Sequence, residues 1–185
     1  MPNKSIAYDA ELIDKISNKN NWPNIDSFLI VRLMRIANNA FNKETVDGKL
    51  SSVLIYHQIV EEFLINLLKL SNLYIQAEIW PNRLNLKVSN RLMFGQILGE
   101  HKKTVDFDSK DELLLKCVSF NQTRIKYVHE LLKFKNDDEI ISAAKKIKDE
   151  FNEITELYFK GATFLEWILE DLKKRVDWKD MLDEI

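Results

Sequence analysis

The sequence predicts an all-α protein, a helical bundle, and three observations carry that reading. Glycine and proline are scarce, four and three in 185 residues, which leaves few turns from which to build a sheet. Apolar residues recur at three- and four-residue spacings along most of the chain, the period of a helix face turned toward a core. The spacings Ser109 to Glu112 and Asn136 to Glu139 stand directly before two such stretches, as helix-capping residues would. With 45% hydrophobic and 30% charged residues the chain has room for one good core, or for one core plus a helical extension, and a single domain is expected.

A short amphipathic stretch spans Tyr8 to Ile16, and Asn21-Trp22-Pro23-Asn24 breaks it. Asn24 or Asp26 can cap the next helix, which runs to about Asn42 and turns Ile30, Leu33, Met34, Ala37, Ala40 and Phe41 to one side. Asp47-Gly48 is expected to end it. Leu50 to Leu73 is the most apolar segment: Val53, Val60, Phe63, Leu64, Leu67 and Leu68 form a stripe that Leu54, Ile55, Ile59 and Ile65 widen, so this helix is expected at the centre. Trp80 to Arg91 lacks a helical period and reads as a connection, followed by a short helix over Arg91 to Leu98 that Gly99 stops. From Ser109 a helix is expected to run to about Phe134. Its core stripe is read as Leu114, Val118, Asn121, Ile125, Val128 and Leu132, with Leu113, Cys117, Phe120, Arg124 and Leu131 beside it. Beyond Asn136, the series Ile140, Ala144, Ile147, Phe151, Ile154, Tyr158, Gly161, Leu165, Ile168 and Leu172 keeps a heptad alternation over about five repeats, which predicts one long helix. Gly161 on that seam costs about 1 kcal/mol of helix propensity and permits close approach of another helix, or a kink.

Composition excludes several classes. No apolar run approaches the roughly 20 residues of a membrane span, and Met-Pro-Asn-Lys-Ser lacks an apolar signal core, so a cytoplasmic protein without a membrane partner is expected. Cys117 stands alone among leucines and reads as a buried structural thiol. A formal charge of -2 gives no global attraction to nucleic acid, but Lys116, Arg124, Lys126, Lys133 and Lys135 face only Glu130 within residues 116–135. His57 and Glu61 have the spacing of two metal ligands and lack a third, so His57 reads as a hydrogen-bonded core or interface residue and no metal or cofactor is expected. His101 beside Lys102 and Lys103 reads as solvated loop, and Trp80 with Arg83, Lys87 and Arg91 as a weaker stacking site for a single strand.

The run Asn121-Gln122-Thr123-Arg124-Ile125-Lys126-Tyr127-Val128-His129-Glu130 is the stretch that looks like chemistry. A fixed cation and a group that titrates near neutral pH are what a metal-free phosphodiester-cleaving site needs, one for charge and one for proton transfer. Five residues advance about 7.5 Å and turn about 140°, so Arg124 and His129 can flank a groove without stacking on each other.

The order of elements adds to this. A long apolar helix containing Tyr56-His57-Gln58-Ile59-Val60-Glu61-Glu62-Phe63 is followed by Leu92-Met93-Phe94-Gly95-Gln96-Ile97-Leu98 and then by an apolar helix ending in Arg-x4-His. In this the chain resembles the HEPN superfamily (higher eukaryotes and prokaryotes nucleotide-binding), small helical bundles with an Arg-x4-6-His motif. The resemblance implies a HEPN-like core at about 50–135, an N-terminal helical extension at 1–48 and a long C-terminal helix at about 137–174. It further implies a metal-independent endoribonuclease of toxin–antitoxin, phage-defence or RNA-processing type, working as a homodimer on single-stranded RNA, with an antitoxin or other protein as a further partner. Arg124 would neutralise the scissile phosphate and His129 would move the proton as the 2'-hydroxyl attacks. Apart from the resemblance, Asn121 lies one turn before Arg124 and offers a polar group on that side, and Lys126 and Glu61 are read with it as supporting or RNA-binding residues. The residue after the arginine is commonly polar in catalytic relatives, and here it is Ile125. A non-catalytic dimerisation or protein- or nucleotide-binding module is therefore the second reading, in which Arg124 pairs with Glu61 or Glu62 and His129 is a surface residue.

Overall fold

A computed structural model describes residues 4–80, 82, 84 and 92–175, with side chains from residue 10 onward. The described residues form six α-helices: α1 Lys4–Ser17, α2 Ser27–Phe41, α3 Val46–Glu78, α4 Phe94–His101, α5 Lys110–His129 and α6 Asp137–Arg175. No strand occurs among them. The all-α prediction holds.

The breaks follow local chemistry. Asp26, not Asn24, caps α2, its carboxylate accepting from Leu29 N at 2.9 Å. Thr45 caps α3 through Gly48 N. Asp47-Gly48 therefore lies in the first turn of α3 rather than ending α2, because the turn is made earlier, around Glu44 with its positive φ of 54°. A Cβ on Gly48 would meet the Ala40 carbonyl at 2.4 Å, so only glycine lets α3 start so close to the end of α2. Gly99 does not stop α4, which begins and ends three residues later than the spacing suggested. At the start of α6, Asn136 Oδ1 accepts from Glu139 N and Glu139 Oε2 accepts from Lys135 N, each at 2.9 Å. Ser109 occupies the N-cap of α5 but makes no side-chain cap bond.

The core is organised around α3. It buries residues around most of its circumference, from Val53, Tyr56 and Ile59 to Leu70 and Leu73, as a central helix must. Of the widening residues, Leu54 stays 46% exposed. All ten seam residues of α6 are buried. Along the α3–α6 contact, Tyr56 stacks on Phe151 at 4.3 Å and Phe63 on Tyr158 at 4.0 Å, pairs worth about 0.5–1.5 kcal/mol each beyond their area. Tyr158 donates to Asn66 Oδ1 at 3.0 Å between them. Gly161 admits a neighbour, as its seam position predicted; that neighbour is the loop residue Phe107 rather than another helix. On the other side, α2 lies against α3 with Tyr56 Oη donating to Asn38 Oδ1. Lys49, 1% exposed, donates to the Phe41 carbonyl at 2.6 Å, and burial lowers its pKa.

Two expectations about faces are corrected. Helix α5 turns Leu113, Cys117, Phe120 and Tyr127 inward, so the stripe through Val118, Ile125 and Leu132 is not the core stripe: these are 41%, 42% and 100% exposed. The larger aromatic payload of Phe120 and Tyr127 decides which face is buried. His101 is no solvated loop residue. It is 1% exposed at the end of α4, where its Nε2 donates to the Leu64 carbonyl at 2.9 Å. Cys117 is buried, and burial pushes its thiol up to about 12, so it is inert.

Candidate functional site

Two polar residues face inward from apolar stretches of different helices, His57 on α3 and Asn121 on α5, and each needs a partner there. The partner they share is Arg124. One terminal nitrogen, Nη2, lies 2.9 Å from His57 Nε2 and 3.0 Å from Asn121 Oδ1. A guanidinium only donates, so His57 Nε2 accepts and the neutral ring carries its proton on Nδ1. That N–H faces Glu61 Oε2 at 3.6 Å, one turn along α3 and beyond a direct hydrogen bond. The imidazole is held flat between rings, stacked on Phe94 of α4 at 5.0 Å and on Phe120 of α5 at 6.2 Å.

Electrostatics follow from this packing. Burial, and after it the charge on Arg124, push the His57 pKa down to about 4, against a smaller raising effect of Asn121. His57 is neutral at pH 7. Burial raises the pKa of Glu61, and Arg124 opposes the rise. Among the described residues no carboxylate lies within ion-pair distance of Arg124, so the pairing with Glu61 or Glu62 that belongs to the second reading is not made. A contact carboxylate would have mattered: opposite charges 4 Å apart interact by about 4 kcal/mol at an effective dielectric constant of 20. Arg124 Nε is buried with no hydrogen-bond partner, and Nη1 has none among the described residues.

The site residues read from the sequence divide into two groups. Asn121, Arg124 and Glu61 come together around His57. His129 and Lys126 do not join them: His129 is the exposed last residue of α5, Lys126 is exposed beside it, and no contact links either to Arg124. His129 instead belongs to an outward stripe, Leu115, Val118, Gln122, Ile125, His129 and Leu132, whose spacing alternates between three and four residues. His57 is the hydrogen-bonded residue that its place on the apolar stripe suggested, but the sequence did not name Arg124 as its partner. The signal that could have found its role was a histidine on one apolar stripe and an asparagine on another, two polar groups that burial forces to meet.

Elsewhere, Phe159, Phe164 and Trp167 line a shallow groove on α6 together with Glu156, Lys160 and Thr163, and it shares no residue with the Arg124 cluster. Of the Trp80 group, Arg83, Lys87 and Arg91 lie outside the described residues. Among those described, no group of three or more His, Cys, Asp or Glu could hold a metal ion, and no helix is long and apolar enough to cross a membrane. Comparison with protein-family models, with curated proteins and with solved structures gave no match.

Proposed function

We propose that this chain is a HEPN-like, metal-independent endoribonuclease that acts on single-stranded RNA as a homodimer. The observation that carries the reading is the half-buried Arg124, held by uncharged acceptors and by no carboxylate among the described residues, on the helix that also carries His129. Its charge is left for an anion, and the dianionic phosphorane formed as a 2'-hydroxyl attacks the adjacent phosphorus fits that need. His129 takes the 2'-hydroxyl proton, O2' bonds to phosphorus, the P–O5' bond breaks and O5' takes a proton from water, so the products are a 2',3'-cyclic phosphate and a 5'-hydroxyl. Lys126 contributes a positioning contact to the RNA backbone.

The second copy is inferred from α5. Its exposed stripe has the spacing of a helix–helix seam, and its ends differ in charge: Asp111 and Glu112 open the helix, Lys126 and His129 close it. Packed antiparallel about a two-fold axis, the acidic start of each α5 meets the basic end of the other, the self-complementarity an isologous interface requires. In that register the axis crosses α5 near its middle, so each Arg124–His129 pair lies toward its own end of the seam, beside the acidic start of the other copy's α5. Ile125, 42% exposed on the seam, favours the second reading, in which the same face serves only to dimerise or to hold a protein partner such as an antitoxin.

The test is cleavage of single-stranded RNA in the presence of chelator. Arg124→Ala and His129→Ala should each abolish it while circular dichroism stays helical, because charge stabilisation is worth a few kcal/mol and general acid–base catalysis roughly 10²–10⁴-fold. If wild type and Ile125→Asn are both inactive on varied RNAs and Arg124→Ala disturbs only dimerisation, the interaction module stands instead.

A further inference from the structure

Resting on the ribonuclease reading, we propose that His57 is a positioning residue: its neutral imidazole orients Arg124 toward the scissile phosphate without cancelling the arginine's charge. Three features of the geometry support this. Nε2 of His57 is the acceptor for Arg124 Nη2 at 2.9 Å, from a different helix, so it ties α5 to α3 at the reacting cation. The ring stacks on Phe94 at 5.0 Å and on Phe120 at 6.2 Å, contacts from α4 and α5 that restrict its rotation. Its Nδ1–H faces Glu61, which favours the tautomer that leaves Nε2 as acceptor. Asn121 supplies the second uncharged acceptor at 3.0 Å, so two partners from two helices fix one edge of the guanidinium.

The choice of histidine has a chemical reason. An aspartate or glutamate in its place would orient Arg124 equally well but would satisfy its charge before substrate arrived, whereas an uncharged acceptor fixes direction alone. The groups facing His57 are Glu61 from its own helix, Arg124, Asn121 and Phe120 from α5, and Phe94 from α4. Burial and Arg124 both keep the ring uncharged well below neutral pH, so it stays an acceptor at neutral pH.

Packing and positioning predict opposite rank orders for three variants. His57→Phe keeps an aromatic ring between Phe94 and Phe120 and removes the acceptor. His57→Gln loses the ring but places Oε1 about as far along the side chain as Nε2. His57→Glu supplies an acceptor that carries charge. Measured on single-stranded RNA with chelator, positioning expects His57→Gln to keep most of the wild-type kcat, and His57→Phe to lose roughly 10- to 100-fold, more in kcat than in KM. His57→Glu should raise KM as well, and the pH profile of His57→Gln should match wild type. If His57→Phe matches wild type, or outperforms His57→Gln, while Arg124→Ala abolishes cleavage, His57 is a packing residue and this inference fails alone. If wild type and Arg124→Ala both leave RNA intact, the ribonuclease reading fails and takes the inference with it.

Discussion

At the scale of single residues the molecule keeps two histidines neutral by burial, and this fixes a pH dependence. His57 and His101 each have a folded-state pKa near 4, against about 6.5 when unfolded. Between those values the unfolded chain binds more protons than the folded one, so stability is full above pH 6.5 and falls as pH drops toward 4. Each histidine contributes up to about 3 kcal/mol to that loss. Urea midpoints should therefore decline between pH 6.5 and 4.5, and His101→Gln should flatten the decline. An unchanged slope in that variant would show that His101 is not the titrating group. Arg124→Ala removes the donor that His57 Nε2 and Asn121 Oδ1 share, so it should lower stability at pH 7 by about 1–3 kcal/mol and lower the melting temperature, while cleavage is lost in the variant that remains folded.

At the scale of elements, α6 and α5 make separate predictions. A Cβ on Gly161 would lie 2.7 Å from the Phe107 ring, so Gly161→Ala sets roughly 1–3 kcal/mol of overpacking against about 1 kcal/mol of helix propensity. The melting temperature should fall, and Phe107→Leu should recover part of the loss in the double variant. A rise in Gly161→Ala alone would mean that the ring moves aside freely. On α5, Ile125→Glu places a charge on the exposed seam and should convert a dimer to monomer in light scattering at tens of micromolar. A wild-type monomer under those conditions would count heavily against the antiparallel pairing.

These same helices show what the sequence disclosed. The α6 seam was legible in full because one side of that helix is buried over many turns, and a sustained heptad has only one reading. The position of α3 was legible for the opposite reason, since a helix apolar nearly all round has nowhere to be but inside. The orientation of α5 was not. It carries two adjacent apolar stripes, and which one is buried depends on the partners that Phe120 and Tyr127 find on other helices, a tertiary fact. The pairing of Arg124 with His57 was hidden likewise: 67 positions separate them, and nothing local ties one to the other.

At the scale of the whole molecule, the proposed chemistry needs no metal. Prolonged dialysis against a chelator should leave both melting temperature and RNA cleavage unchanged, and loss of either with recovery on adding a divalent cation would overturn the expectation. The architecture also bears on how the chain is made. Helix α3 is apolar around most of its girth, and its longest cover among the described residues, the 39-residue α6, is encoded well after it. About 60 residues separate the end of one from the start of the other, which at about 5–20 residues per second is roughly 3–12 s of synthesis. During that interval α2 can shield one flank of α3, while Tyr56, Phe63 and Leu67 have no α6 to meet. A nascent chain is thus sticky along α3 until α6 emerges. A product stopped at Asn136 should aggregate or remain bound to chaperones, whereas the same fragment supplied with α6 as a separate peptide should become soluble.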